Sequence, residues 1–219
     1  MPLIFLYLWV ILIYLTAYYL ELILIKTFST KLFRIFVAPG IVIHELSHIL
    51  GAKLSGSKIA DYRFFDPKGG YVKFTKPKIP LIGNAFISFA PLIIGSLVIL
   101  LLGLLLNIKI AVLSNGQSLQ QFFTIIGKIN FFSIPNIIVL YLIMSIAAAL
   151  APSKQDFTIA WAGLIPFIII TVLFYLFIPY TIILINLLSG LYFICLTLIC
   201  GILIIALIML GAKKVITKR

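Results

Sequence analysis

Acidic residues are scarce in this chain: five Asp and Glu among 219 residues, against 17 Lys and Arg. Charged residues of both signs make up only 10% of the total, where a soluble domain carries about a quarter. Hydrophobic residues reach 63% and mean hydropathy is +1.28, which excludes an ordinary soluble domain and indicates an integral membrane protein. A net charge of +12 would suggest a nucleic-acid partner in a soluble protein. Here the Lys and Arg gather in loops and at the tail, where they suit anionic lipid headgroups, so the expected partner is the bilayer and not nucleic acid. Cysteine is also rare. Cys195 and Cys200 lie in an apolar run without CxxC spacing, which excludes a disulfide framework or a cysteine metal pair and leaves them as packing residues. The segment Pro2–Ile25 is apolar apart from Glu21 and lacks the basic start and small-residue cleavage site of a signal peptide. It reads as a retained transmembrane helix.

Histidine is limited to two residues, and they sit four apart in His44-Glu45-Leu46-Ser47-His48. Two His scattered at random would fall at that spacing with a Glu after the first about once in ten thousand, so the HExxH pattern is not an accident of composition. On a helix, positions i and i+4 share a face, so both imidazoles can reach one metal while Glu45 addresses a water there. No other charge lies between Arg34 and Lys53. Ionisable groups in so apolar a stretch are costly without a partner, which points to a metal site inside the membrane.

A membrane span needs about 20 apolar residues. Six segments meet that measure: Pro2–Ile25, Ile35–Ala52, Ile79–Leu106, Phe131–Leu150, Phe157–Pro179 and Thr181–Gly211. Pro39-Gly40 interrupts the second span just before the His pair. Residues 1–219 thus read as one all-α polytopic membrane domain, with about six transmembrane helices. With six crossings, the loop Lys53–Lys78, Lys154 and the tail share one side and carry twelve of the 17 cations. The positive-inside rule then places that loop and both termini in the cytoplasm, as expected of a protein of the cell membrane. Within the loop, Tyr62-Arg63-Phe64-Phe65 and Tyr71-Val72-Lys73-Phe74 flank Asp66-Pro67-Lys68-Gly69-Gly70, the pattern of a short β-hairpin at the membrane surface. Its strand edge could pair with a substrate segment that has unwound from its own helix.

Catalytic zinc takes three protein ligands and keeps a fourth position open. With no third His, the third ligand has to be a carboxylate or Cys. Glu45 is assigned as the base, and Glu21 falls at the far end of the first span. Asp61 and Asp66 belong to the hairpin. Asp156, between two apolar spans on the same side as the His pair, is the expected ligand, although Ser153 three residues before it also makes a capping-box helix start. The expectation is one Zn²⁺ per chain on His44, His48 and Asp156. Ser47 and Gly51, on the same helix, are small enough to admit either a substrate backbone or a closely packed neighbour, and packing is the simpler role.

These features resemble the site-2-protease-like intramembrane metalloproteases. The resemblance runs from Gly40 to Ala162. It includes the HExxH helix, Gly51-Ala52-Lys53-Leu54-Ser55-Gly56, the hairpin ending Gly69-Gly70-Tyr71-Val72, the span containing Phe89-Ala90-Pro91 and a distal Asp. It implies zinc on His44, His48 and Asp156, Glu45 as general base, and cleavage of a transmembrane protein or peptide substrate. Zinc enzymes with a third His, HExxH proteases with a downstream Glu ligand, and His-rich desaturases or di-iron enzymes are excluded by residue count. A metal-binding membrane scaffold or transporter without hydrolysis is the alternative from another class. It would call for polar residues along several spans, and the fifth and sixth have almost none.

Overall fold

The computed structural model describes residues 2–64, 70–106, 119–150 and 153–216. In chain order the elements are α1 (Pro2–Thr27), α2 (Thr30–Phe36), α3 (Ala38–Leu54), β1 (Ile59–Arg63), β2 (Tyr71–Phe74), α4 (Pro80–Leu105), α5 (Leu119–Gly127), α6 (Ile134–Ala148), α7 (Lys154–Phe177) and α8 (Thr181–Ile216). Prolines stand in the first turn of α3, α4 and α6. The first turn leaves its N–H groups unpaired in any case, so a proline costs nothing there and fixes where the helix begins. The two strands pair antiparallel, with Tyr62 opposite Val72 and Arg63 opposite Tyr71, and the register shifts between Ile59 and Asp61.

Helices α1, α4 and α8 are each long and apolar enough to cross a membrane. α1 turns Ile4, Leu8, Ile11 and Leu15 outward and α8 turns out Ile204, Ile205 and Ile208, an apolar exterior that suits lipid. The expected second span is instead a bent pair, α2 and α3, which meet at 72°. Pro39 cannot continue the α2 hydrogen-bond ladder, so the chain restarts as α3 one residue after Val37. Counting the pair as one span gives four. Among the described residues six spans are not shown. α6 has only 15 residues, about 22 Å at 1.5 Å rise, too short for a 30 Å hydrocarbon core. The described apolar part of α7, Leu164–Phe177, is also short.

The helices pack as α1 on α8, α4 on α7, and α3 between α4 and α6. Their shared core includes Leu20, Leu92, Ile99, Ile146, Leu150 and Ile199. Both cysteines are free, with Cys195 inside this core. The α1–α8 pair is parallel. Trp9 stacks edge-on against Phe193, and further along Lys213 donates to the carbonyls of Lys26 and Thr27 at 3.4 and 3.0 Å. Pro2 and Ile216 therefore lie at opposite ends of this helix pair, which does not support the expectation that both termini share one side. That expectation assumed an even number of full crossings, and α6, with 15 residues, is too short to be counted as one.

α3 reaches its neighbours through residues without side-chain bulk. A Cβ on Gly40 would lie 2.1 Å from the Ser145 carbonyl oxygen, and one on Gly51 would lie 2.9 Å from the Ala90 Cβ. The N-cap residue of α3, Val37, offers no side-chain acceptor, and the Gly40 N–H instead donates to Ser145 Oγ of α6 at 2.9 Å. α6 thus caps α3 from outside. Gly40→Ala should lower stability by about 1–3 kcal/mol through overpacking. Ser145→Ala should cost about 1 kcal/mol through the lost cap. Thermal melting in detergent micelles measures both, and the neighbouring pair should combine non-additively.

Candidate metal centre

His44 and His48 come from consecutive turns of α3, and each has its Nδ1 proton committed to a carbonyl of a different helix. His44 Nδ1–H donates to Ala149 O at 2.7 Å and His48 Nδ1–H to Ile87 O at 2.9 Å. Both acceptors are carbonyls that their own helices leave unpaired. Ala149 is the C-cap residue of α6, where no following turn exists to bond it. Ile87 lies inside α4, but the N–H that would reach it belongs to residue 91, which is Pro91. The proline removes one donor and His48 supplies another.

A carbonyl can only accept, so each Nδ1 carries a proton, and each Nε2 is the ring nitrogen left to face a metal. The two Nε2 atoms are 3.1 Å apart. Asp156 completes the group, with Oδ1 at 3.2 Å from His48 Nε2 and Oδ2 at 3.5 Å from His44 Nε2. Asp156 also closes a capping box at the start of α7: Oδ2 accepts from Ser153 N–H at 2.7 Å while Ser153 Oγ accepts from Asp156 N–H at 3.1 Å. The cap and the site therefore use the same carboxylate. His48 and Asp156 are buried and His44 nearly so. His44, His48 and Asp156 form a group that can hold a metal ion. Ligands on a tetrahedral ion with bonds of about 2.05 Å lie about 3.3 Å from one another; here the two rings meet different Asp156 oxygens, and ligand atoms taken one from each residue lie within 4.8 Å of one another.

Glu45 follows His44 and is turned about 100° around α3 from it. It is buried beneath the hairpin: a Cβ on Gly70 would meet Glu45 Cγ at 2.6 Å and Oε1 at 2.7 Å. The hairpin is thus not confined to the surface, and its β2 end reaches the site. Ser47 is fully buried and bonds back to the Ile43 carbonyl at 2.6 Å, and Gly51 lies against α4, so both are packing residues. Asp61 is exposed on β1 and accepts from Tyr71 Oη at 2.9 Å, which holds its carboxyl below the ordinary value. It takes no part in the metal group. Asp66 lies outside the described residues.

A cavity of about 330 Å³ opens onto His44 and Glu45. Its wall includes Gly70 and Ser153, and on the far side Tyr14, Tyr18, Glu21 and Arg34. Sequence reasoning placed Glu21 away from the motif. The break at Val37 folds α2 back beside α1 and brings Glu21 and Arg34 to the cavity that the motif faces. A lone acid within an apolar span was the available signal.

The purified protein should carry one divalent metal ion per chain, and His44→Ala should lose it, as read by elemental analysis. Pro91→Ala gives residue 91 an N–H that competes for the Ile87 carbonyl. The His48 ring is then released, and metal affinity should fall about 10–100-fold, measured by competition with a chelator, while the fold persists. Comparison with family models, curated proteins and solved structures finds no match to this chain, so the site is read from its own geometry.

Proposed function

We propose that the chain is a zinc-dependent endopeptidase of the membrane, similar in its motif and site to site-2-protease-like enzymes, acting on membrane-embedded protein or peptide segments. The observation that carries this reading is the convergence of two Nε2 atoms and one carboxylate beside Glu45, at the end of a cavity. Two nitrogens and one oxygen are a common ligand set of hydrolytic zinc sites, with the fourth position left for a reactant. His44, His48 and Asp156 would hold Zn²⁺, whose Lewis acidity makes a water more acidic and a carbonyl more electrophilic.

In the proposed reaction Glu45 accepts a proton from the attacking water as the water oxygen bonds to the scissile carbonyl carbon. The same proton passes to the amide nitrogen as the C–N bond breaks, leaving a carboxylic acid, which keeps the second water proton, and an amine. Burial beneath Gly70 keeps the Glu45 side chain from swinging into bulk solvent. A substrate helix must unwind before its carbonyl is reachable, and unpaired backbone groups in lipid cost several kcal/mol each. The exposed edge of the hairpin offers hydrogen-bond partners to such a segment next to Glu45.

Glu45→Gln should keep the metal and lower turnover at least about 100-fold, because an amide cannot take the proton. Candidate substrates would come from membrane-retained fragments present with the wild-type protein and missing with Glu45→Gln. They would then be assayed after reconstitution in vesicles. Equal cleavage by both proteins would remove Glu45 from the role of base.

A further inference from the structure

A second cavity, of about 280 Å³, lies between α1, α2, α6 and α8. Leu24, Phe36, Met144, Ile202, Ala206 and Met209 form most of its wall, and Ser145 is already bonded to the Gly40 N–H. Water needs two to four polar partners to occupy such a space, and this lining does not supply them. Hydrocarbon fits it.

The mouth of the groove has a different character. Met209, on its wall, is followed one turn later by Lys213, which is seated on the carbonyls of Lys26 and Thr27. Phe28 and Phe33 line the groove, and Lys31 lies between them in sequence and is exposed, as is Lys26. Lys26 and Lys31 stand on either side of the turn between α1 and α2, and Lys213 of α8 is bonded to carbonyls at the end of α1. The acids of the chain lie elsewhere: Glu45 and Asp156 at the metal centre, Asp61 and Asp66 in the hairpin sequence, and Glu21 on the other cavity. An apolar slot with a cationic mouth at one end of a membrane-crossing bundle matches a lipid with a negative headgroup.

We propose that this groove binds one acyl chain of an anionic phospholipid, with the headgroup phosphate held by Lys26, Lys31 and Lys213. Phe33, Val37 and Ala148 line both this groove and the cavity that reaches His44 and Glu45. The bound chain thus supports the elbow between α2 and α3 from behind the metal centre.

The test is native mass spectrometry of the full chain in neutral detergent, titrated with palmitoyl-oleoyl phosphatidylglycerol or with phosphatidylcholine bearing the same chains. One phosphatidylglycerol should bind about tenfold more tightly than phosphatidylcholine. The double variant Lys26→Gln, Lys31→Gln should bring the two lipids close to equal affinity while leaving chain binding in place. Ala206→Phe should fill the groove and abolish binding of both. Should that buried substitution prevent folding, Met209→Glu on the exposed outer wall should selectively abolish phosphatidylglycerol binding. Equal affinity of the wild type for both lipids, or tight phosphatidylglycerol binding that survives the groove variant, would overturn the proposal. Neither result would bear on metal binding or proteolysis, which are read by other assays.

Discussion

Two imidazole nitrogens and a carboxylate face one another within an apolar bundle. Each ring donates its Nδ1–H to a carbonyl on the opposite side, so the Nε2 atoms stand 3.1 Å apart with the Asp156 oxygens at 3.2 and 3.5 Å. In water such groups would be solvated separately. In an apolar bundle they are poorly solvated, and a shared cation relieves that cost. The rest of the site follows from this constraint. α4 and α6 must present an accepting carbonyl to each ring, and α7 must begin where its first-turn carboxylate meets both nitrogens.

The protein meets these requirements with backbone groups that secondary structure leaves over. A helix interior has no spare carbonyls until a proline deletes a donor, as Pro91 does for Ile87. A helix end has spare carbonyls and N–H groups by construction, and His44 takes the carbonyl of Ala149 while Ser145 takes the N–H of Gly40. In a bilayer every such group must find an internal partner. The packing that brings α3 close to α4 and α6 at Gly51 and Gly40 therefore also satisfies the backbone and sets the tilt of the two rings. Helix packing and metal geometry depend on the same few residues.

This dependence decides how much of the molecule could be read from its sequence. His44, Glu45 and His48 were legible because a helix has fixed periodicity and the chain has no competing His. Asp156 followed from the short supply of acids, and its capping-box signature was compatible with a second role. α1, α4 and α8 were legible as long apolar runs, with boundaries within a few residues of those observed. The failures concern span integrity and direction. Apolar composition is the same whether a helix is long enough to cross a bilayer, is as short as α6, or bends by 72° from its neighbour as α2 and α3 do. Counting α6 as a full crossing brought the termini to one side, whereas the contacts of Trp9 with Phe193 and of Lys213 with Lys26 make α1 and α8 parallel. The roles of Ile87 and Ala149 were not legible, because a carbonyl acts through its position and not its residue type.

The faces of α3 also determine how a reactant can approach. His48 and Gly51 are turned to α4, Gly40 and His44 meet α6, and Asp156 closes the group from α7. Leu46 and Leu50 point outward with the lipid-facing side chains. Glu45, one residue and about 100° from His44, faces the remaining direction, where Gly70 rests on it and Tyr14, Tyr18, Glu21 and Arg34 line the far wall. Among the described residues, the open approach to the metal group is the one between α1, α2 and the hairpin. A peptide arriving there meets hairpin backbone and the Glu45 carboxylate together, because the two are in contact. Glycine at position 70 keeps that contact close, since any Cβ would force either the strand or the carboxylate away. The strand that can pair with an unwound segment and the carboxylate proposed to act on its hydrolysis thus occupy one position, set by a single residue without a side chain.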